Sequence, residues 1–131
     1  MSAGRTYRVL IVDDEKPIRL LVDRILRQAS YETVLAASGP DALAILDTHP
    51  PFDLLLTDLR MPEMNGDELA RRAWLLMPAL KVLYLTGYSD YLFGVRATLW
   101  EHEAFLDKPP TMKGVLEAVA LSIFGTTHGP H

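Results

Sequence analysis

Short apolar runs alternate five times with stretches of helical apolar spacing, and this alternation constrains the fold more than any other property of the chain. The runs are Val9-Leu10-Ile11-Val12, Thr33-Val34-Leu35-Ala36, Leu54-Leu55-Leu56-Thr57, Val82-Leu83-Tyr84-Leu85 and Ala104-Phe105-Leu106. Each has the length of a strand, and apolar residues in succession predict burial on both faces. After the first run, Ile18, Leu21, Val22, Ile25 and Leu26 form one stripe of an amphipathic helix, with Pro17 tolerated near its start. Ser38-Gly39-Pro40-Asp41 predicts the N-cap of a second helix carrying Leu43, Ile45 and Leu46, which Pro50-Pro51 closes. A third helix carries Leu69, Ala73, Trp74 and Leu76 and stops before Pro78. A fourth covers about 90–100, with Leu92, Val95 and Leu99 inward and Gly94 weakening it. The last, capped by Thr111, carries Val115, Leu116, Val119, Ile123 and Phe124.

Five strands, each followed by a helix, predict an α/β fold: a doubly wound, five-stranded parallel sheet with five helices. Parallel neighbours need crossover connections, and right-handed crossovers place helices on both faces. At 131 residues, 49% hydrophobic and 23% charged, the chain has material for one core and not for two. Residues 1–125 are expected to form the domain and 126–131 a flexible tail. A net charge of −4 with interspersed signs excludes the basic stripe of a direct nucleic-acid binder. The absence of cysteine excludes disulfides, thiolate zinc sites and thiol nucleophiles. No run approaches the roughly 20 apolar residues of a membrane span, and the opening MSAGRTYR has no apolar signal core. A cytoplasmic location without membrane contact is the expectation.

Sites in open α/β sheets form just past the carboxyl ends of the strands. Strand one ends in Asp13-Asp14-Glu15, strand three in Asp58, strand four in Thr86-Gly87 and strand five in Asp107-Lys108-Pro109, whereas Ala37-Ser38 after strand two is unreactive. An Asp-Asp pair alone is ordinarily a helix cap or a solvated turn, and a lone strand-end threonine or lysine means little. Their joint placement at four strand ends predicts a site. Clustered carboxylates repel, and must share protons or bind a cation. Oxygen ligands with no Cys or His nearby favour Mg²⁺. Asp58, facing that cation and Lys108, can attack phosphorus to give an acyl phosphate, while the Thr86 hydroxyl and Lys108 hold phosphoryl oxygens. His49, His102, His128 and His131 are scattered and support neither a metal cluster nor a phosphohistidine relay.

The segments VLIVDDE, LLLTDLRMPEMNG, VLYLTGYS and FLDKPP, in this order and spacing, resemble the four signature segments of response-regulator receiver domains over about residues 7–124. The resemblance implies the CheY-like sheet order 2-1-3-4-5, with Asp58 as phosphoacceptor. It implies a Mg²⁺ site of Asp13, Asp14, Asp58 and the main-chain carbonyl of Arg60. Thr86 and Phe105 match the family's switch pair, in which the hydroxyl swings toward the phosphoryl group and the aromatic ring turns inward. Phe105 stands where tyrosine is commoner, and so lacks the hydroxyl tip. Lys108 matches the family's lysine, with a cis bond to Pro109 expected. Arg60 and Tyr88 flank the phosphoryl group at positions that tune its lifetime, and a bulky Tyr88 is expected to shield the acyl phosphate and prolong it.

The function so implied is a phosphorelay signalling module rather than an enzyme acting on other molecules. It would catalyse only its own phosphorylation and slow dephosphorylation. A sensor histidine kinase or phosphotransfer protein would donate the phosphoryl group. An output partner would read the face of the fourth predicted helix, the fifth strand and the last helix, where a homodimer is also possible. The chain would be a stand-alone receiver or part of a hybrid kinase or DNA-binding regulator. Two other classes fit less well. Phosphatases of the haloacid-dehalogenase type need a DxDx[TV] segment after strand one, where this chain has DDEK, and a flavodoxin-like binder needs a phosphate loop there.

Overall fold

A strand sends alternate side chains to opposite faces, so a run of consecutive apolar residues is stable only with cover on both sides. The computed structural model, which describes residues 5–49, 51–87 and 103–125, meets that requirement. The elements are β1 (Arg8–Val12), α1 (Lys16–Gln28), β2 (Glu32–Ala36), α2 (Gly39–Thr48), β3 (Leu54–Asp58), α3 (Gly66–Leu76), β4 (Lys81–Thr86), β5 (Glu103–Asp107) and α4 (Met112–Phe124). All five expected strands are present, together with four of the five expected helices. The helix expected over about 90–100 lies outside the described residues, as do Tyr88 and the tail at 126–131.

The sheet is parallel, in the order β2-β1-β3-β4-β5. On one face Leu10, Val12, Leu55, Val82 and Tyr84 meet the apolar sides of α2 and α3, including Ala42, Leu46, Leu69 and Ala73. On the other, Val9, Ile11, Leu54, Leu56, Leu83 and Leu85 meet Val22, Ile25 and Leu26 of α1 and Val115 and Val119 of α4. β3 is buried at every position, as the central strand of a doubly wound sheet must be.

Local signals set the helix ends. The Ser38 hydroxyl accepts the Asp41 amide of α2 at 3.2 Å, and the Thr111 hydroxyl accepts the Gly114 amide of α4 at 3.0 Å. Gly125 ends α4 at φ 75°, a left-handed conformation that glycine adopts without penalty. Trp74 is partly buried and donates its indole N–H to the Leu80 carbonyl at 2.7 Å, which ties α3 to the start of β4.

Candidate functional site

Strand order reverses between β1 and β3, and the side chains just past their ends meet there. Asp13 and Asp58 are both buried, 2% and 6% exposed, while Asp14 faces solvent. Oxygens of Asp13, Asp14 and Asp58 lie within 4.8 Å of one another. From the other side of the reversal Lys108 extends its ammonium to 3.4 Å from Asp13 Oδ2 and 3.5 Å from Asp58 Oδ1. Its nearest partner is Glu15, which accepts a hydrogen bond from Nζ at 2.8 Å. A cavity of about 370 Å³ opens over this group, lined by Glu15, Asp58, Arg60, Gly87 and Lys108.

The backbone around these side chains is tightly held. Asp13 Oδ1 accepts the Glu15 amide at 2.8 Å, and the Asp13 carbonyl accepts Arg19 at 2.6 Å. The Lys108 amide donates to the Thr86 carbonyl at 2.8 Å, which joins the ends of β4 and β5, and the Lys108–Pro109 bond is cis as expected. Past Asp58 the chain folds back so closely that a Cβ on Gly66 would stand 2.3 Å from the Asp58 carbonyl oxygen. The Gly66 amide donates to the Leu59 carbonyl at 2.8 Å, and Asn65 Oδ1 accepts the Met61 amide at 3.2 Å. Gly66 is therefore a requirement of the loop after β3, because no side chain fits between it and Asp58.

The electrostatics follow from crowding acids in a buried place. Burial first, and then the charge of Asp13, push the Asp58 carboxyl up to about 7; Asp14 adds to this and Lys108 opposes it. Burial also raises Asp13, against the lowering effects of the Glu15 amide and Lys108. For Lys108 burial alone would lower the pKa, but Glu15, Asp13 and Asp58 together outweigh it and raise it. One oxygen is left over. Asp13 Oδ2 is buried without a hydrogen bond, since Lys108 stands within ion-pair range of it but makes no hydrogen bond to it.

A buried carboxylate oxygen with no donor is costly relative to its hydrated state and is what a cation would use. The donor set is all hard oxygen, with one ligand left at the solvent side in Asp14, and this fits a divalent ion of the Mg²⁺ type that retains waters. Asp13, Asp14, Asp58, Thr86 and Lys108 all stand where the strand-end reading expects them, and Arg60 lies on the cavity wall. Thr86 is buried at the end of β4, in register with Asp107, and Phe105 packs partly buried against the α3 side of the core. The sequence shows Glu15 only as a third acid after β1, with no role, and Gly66 only within the segment LLLTDLRMPEMNG, where the resemblance implies a loop that carries the Arg60 carbonyl.

Comparison with known proteins is consistent with this geometry. The family described as "Response regulator receiver domain" matches residues 9–120. The response regulator receiver protein CpdR of Brucella abortus is 40% identical over 112 residues, which cover 86% of this chain and 92% of CpdR. Sporulation initiation phosphotransferase F of Bacillus subtilis is 35% identical over 83 residues, 63% of this chain and 66% of its own length. Among solved structures, the receiver domain of the hybrid histidine kinase CckA superposes with a TM-score of 0.76 at 31% identity, covering 88% of this chain and 98% of that one.

Proposed function

Because this chain belongs to the response regulator receiver domain family, and so accepts a phosphoryl group in two-component signalling, we propose a specific chemistry for its site. Asp58 is the acceptor. The observation that carries this is its position: a buried carboxylate at the end of the central strand, beside two further aspartates and an ammonium, opening into a cavity. In its ionised form Asp58 attacks the phosphorus of a donor phosphohistidine. A bond forms between the aspartate oxygen and phosphorus as the phosphorus–nitrogen bond breaks, and the electron pair leaves with the imidazole.

Lys108 and Thr86 then meet the phosphoryl oxygens, the first with an ammonium and the second with a hydroxyl. Phe105 follows Thr86 as the second member of the switch. Asp13, Asp14, Asp58 and the Arg60 carbonyl would hold Mg²⁺, which when bound would supply positive charge to keep Asp58 anionic and to offset the charge of the phosphoryl group. The donor is a sensor histidine kinase or a phosphotransfer protein. The phosphoryl group, carrying about −1.5 to −2 in place of the single carboxylate charge, biases the surface around β5 and α4 that an output partner reads. Arg60 and Tyr88 flank the phosphoryl group and set its lifetime, although Tyr88 itself lies outside the described residues.

Incubation with acetyl phosphate and Mg²⁺, followed by intact-mass measurement, tests the acceptor. Wild type is expected to gain one phosphoryl mass, and Asp58→Asn none. Labelling of Asp58→Asn to the wild-type extent would overturn the assignment.

A further inference from the structure

The Lys108 ammonium is closest to a residue outside the acceptor and metal set. Its bond to Glu15, at 2.8 Å, is shorter than its approaches to Asp13 at 3.4 Å and Asp58 at 3.5 Å. Glu15 is the N-cap residue of α1, yet its side chain makes no capping bond to the helix amides. The carboxylate forgoes the partner that its own backbone offers and takes a lysine 93 positions away in sequence. Both residues line the cavity that opens over Asp58, so the ion pair forms part of the wall that an incoming phosphoryl group must meet.

We propose that Glu15 is a positioning residue that holds Lys108 at the rim of the site before phosphorylation and gives it up to the phosphoryl oxygens afterwards. The inference rests on Asp58 being the acceptor. Phosphorylation replaces a single carboxylate charge by an acyl phosphate carrying about −1.5 to −2, and so draws the ammonium inward. Lys108 is well placed to move, because its main chain is fixed to the Thr86 carbonyl while its long side chain spans the cavity. Glu15 is 59% exposed, so water solvates its carboxylate once the lysine has left. A pair whose carboxylate faces water is weak enough to break at each phosphorylation cycle, yet strong enough to shift the equilibrium by about two- to five-fold. Glu15 thereby works against the phosphorylated state, acting on it through Lys108.

The test uses beryllofluoride, a mimic of the phosphoryl group, with Mg²⁺ and ¹⁹F NMR to read affinity. Glu15→Gln is expected to bind it about two- to five-fold more tightly than wild type, and Glu15→Asp to lie between them. In a Lys108→Met background the Glu15→Gln change should vanish. Equal affinity of Glu15→Gln and wild type would overturn the proposal. So would the same tightening without Lys108, because it would mean that Glu15 only repels the ligand through space. In the metal-free protein, the Lys108 ammonium resonance should shift in Glu15→Gln. If wild type neither binds beryllofluoride nor takes up phosphoryl, the acceptor reading fails. The ammonium resonance still decides the Glu15–Lys108 bond in that case, and an unshifted signal would refute it.

Discussion

At the amino ends of the strands, Arg8 donates its main-chain N–H to Asp53 at 2.8 Å and its guanidinium to Glu32, to the Pro51 carbonyl and to the His49 carbonyl. The same guanidinium lies 4.5 Å from the centre of the Phe52 ring, and Asp53 also pairs with Arg5. At the carboxyl ends, three aspartates crowd together, two of them approach one lysine that is shared with Glu15, and a buried oxygen has no hydrogen bond. A larger cavity than the one over Asp58, about 590 Å³, lies at the amino ends beside Tyr7, Phe52, Leu80 and Phe124, and the acid on its wall is the paired Asp53. The smaller cavity lies over the crowded acids. Volume therefore does not mark the site, whereas unbalanced charge does. One end of the sheet pairs its charges, and the other leaves acidic charge crowded and a buried oxygen without a hydrogen bond.

The contrast breaks most visibly at Asp58. Its folded pKa of about 7 stands above the unfolded value of about 3.9. Without metal, the native state thus holds an extra proton between about pH 4 and pH 7. Stability favours the protonated form and falls as pH rises through that window. Asp58→Asn does not titrate, so in EDTA at pH 7.5 it is expected to be more stable than wild type by about 2–4 kcal/mol, with the gain disappearing below about pH 4. Saturating Mg²⁺ should narrow the gap, since ligand at a hundred times its Kd stabilises wild type by about 2.7 kcal/mol. Urea midpoints across pH, with and without metal, measure both. An Asp58→Asn protein less stable than wild type at pH 7.5 would end the claim that this end is electrostatically strained.

Gly66→Ala separates charge from packing at the same end. The added methyl would press on the Asp58 carbonyl oxygen, a main-chain atom that cannot swing aside. Overpacking of this kind costs about 1–3 kcal/mol. The expected result is a less stable protein that also binds Mg²⁺ more weakly, because the acceptor loop must shift. Calorimetric titration with Mg²⁺ alongside a urea melt checks this. Lowered stability with unchanged metal affinity would show that the Gly66 contact supports the fold and not the site.

How far the sequence revealed this site depends on the range of the interaction. Asp13, Asp14, Asp58, Thr86 and Lys108 were legible because a parallel sheet brings strand ends together whatever the rotamers, and run length alone located those ends to within a residue. The caps Ser38 and Thr111 were legible for the same local reason. The Glu15–Lys108 bond was not, because it depends on where two long side chains turn after the fold has formed. Nor was the bond from the Tyr84 hydroxyl to the buried Glu103 carboxylate, 19 residues apart, since Tyr84 reads as an ordinary strand position and Glu103 lies just before the fifth apolar run. Gly66 stands in the sequence only as the end of the segment LLLTDLRMPEMNG. Its approach to Asp58 comes from the path of the whole loop, including Glu63 at φ 70°, and no spacing rule encodes that path.

The amino end offers the smallest effect and the control for the others. Arg8 serves Glu32, two carbonyls and an aromatic face at once, which needs a planar fork of donors rather than a point charge. Arg8→Lys keeps the charge and loses the fork. With Arg8 mostly buried at its side chain and Glu32 about half-exposed, the expected loss is about 1 kcal/mol. Little of that loss should be sensitive to salt, because the carbonyl bonds and the stacking remain the larger part. Phosphoryl uptake from acetyl phosphate should be unchanged, since Arg8 lies at the opposite end of β1 from Asp13. Urea melts at low and high salt read the first outcome and intact mass the second. A fall in phosphoryl uptake would mean that the two ends of the sheet are coupled through β1, and the division between a stabilising end and a reactive end would not hold.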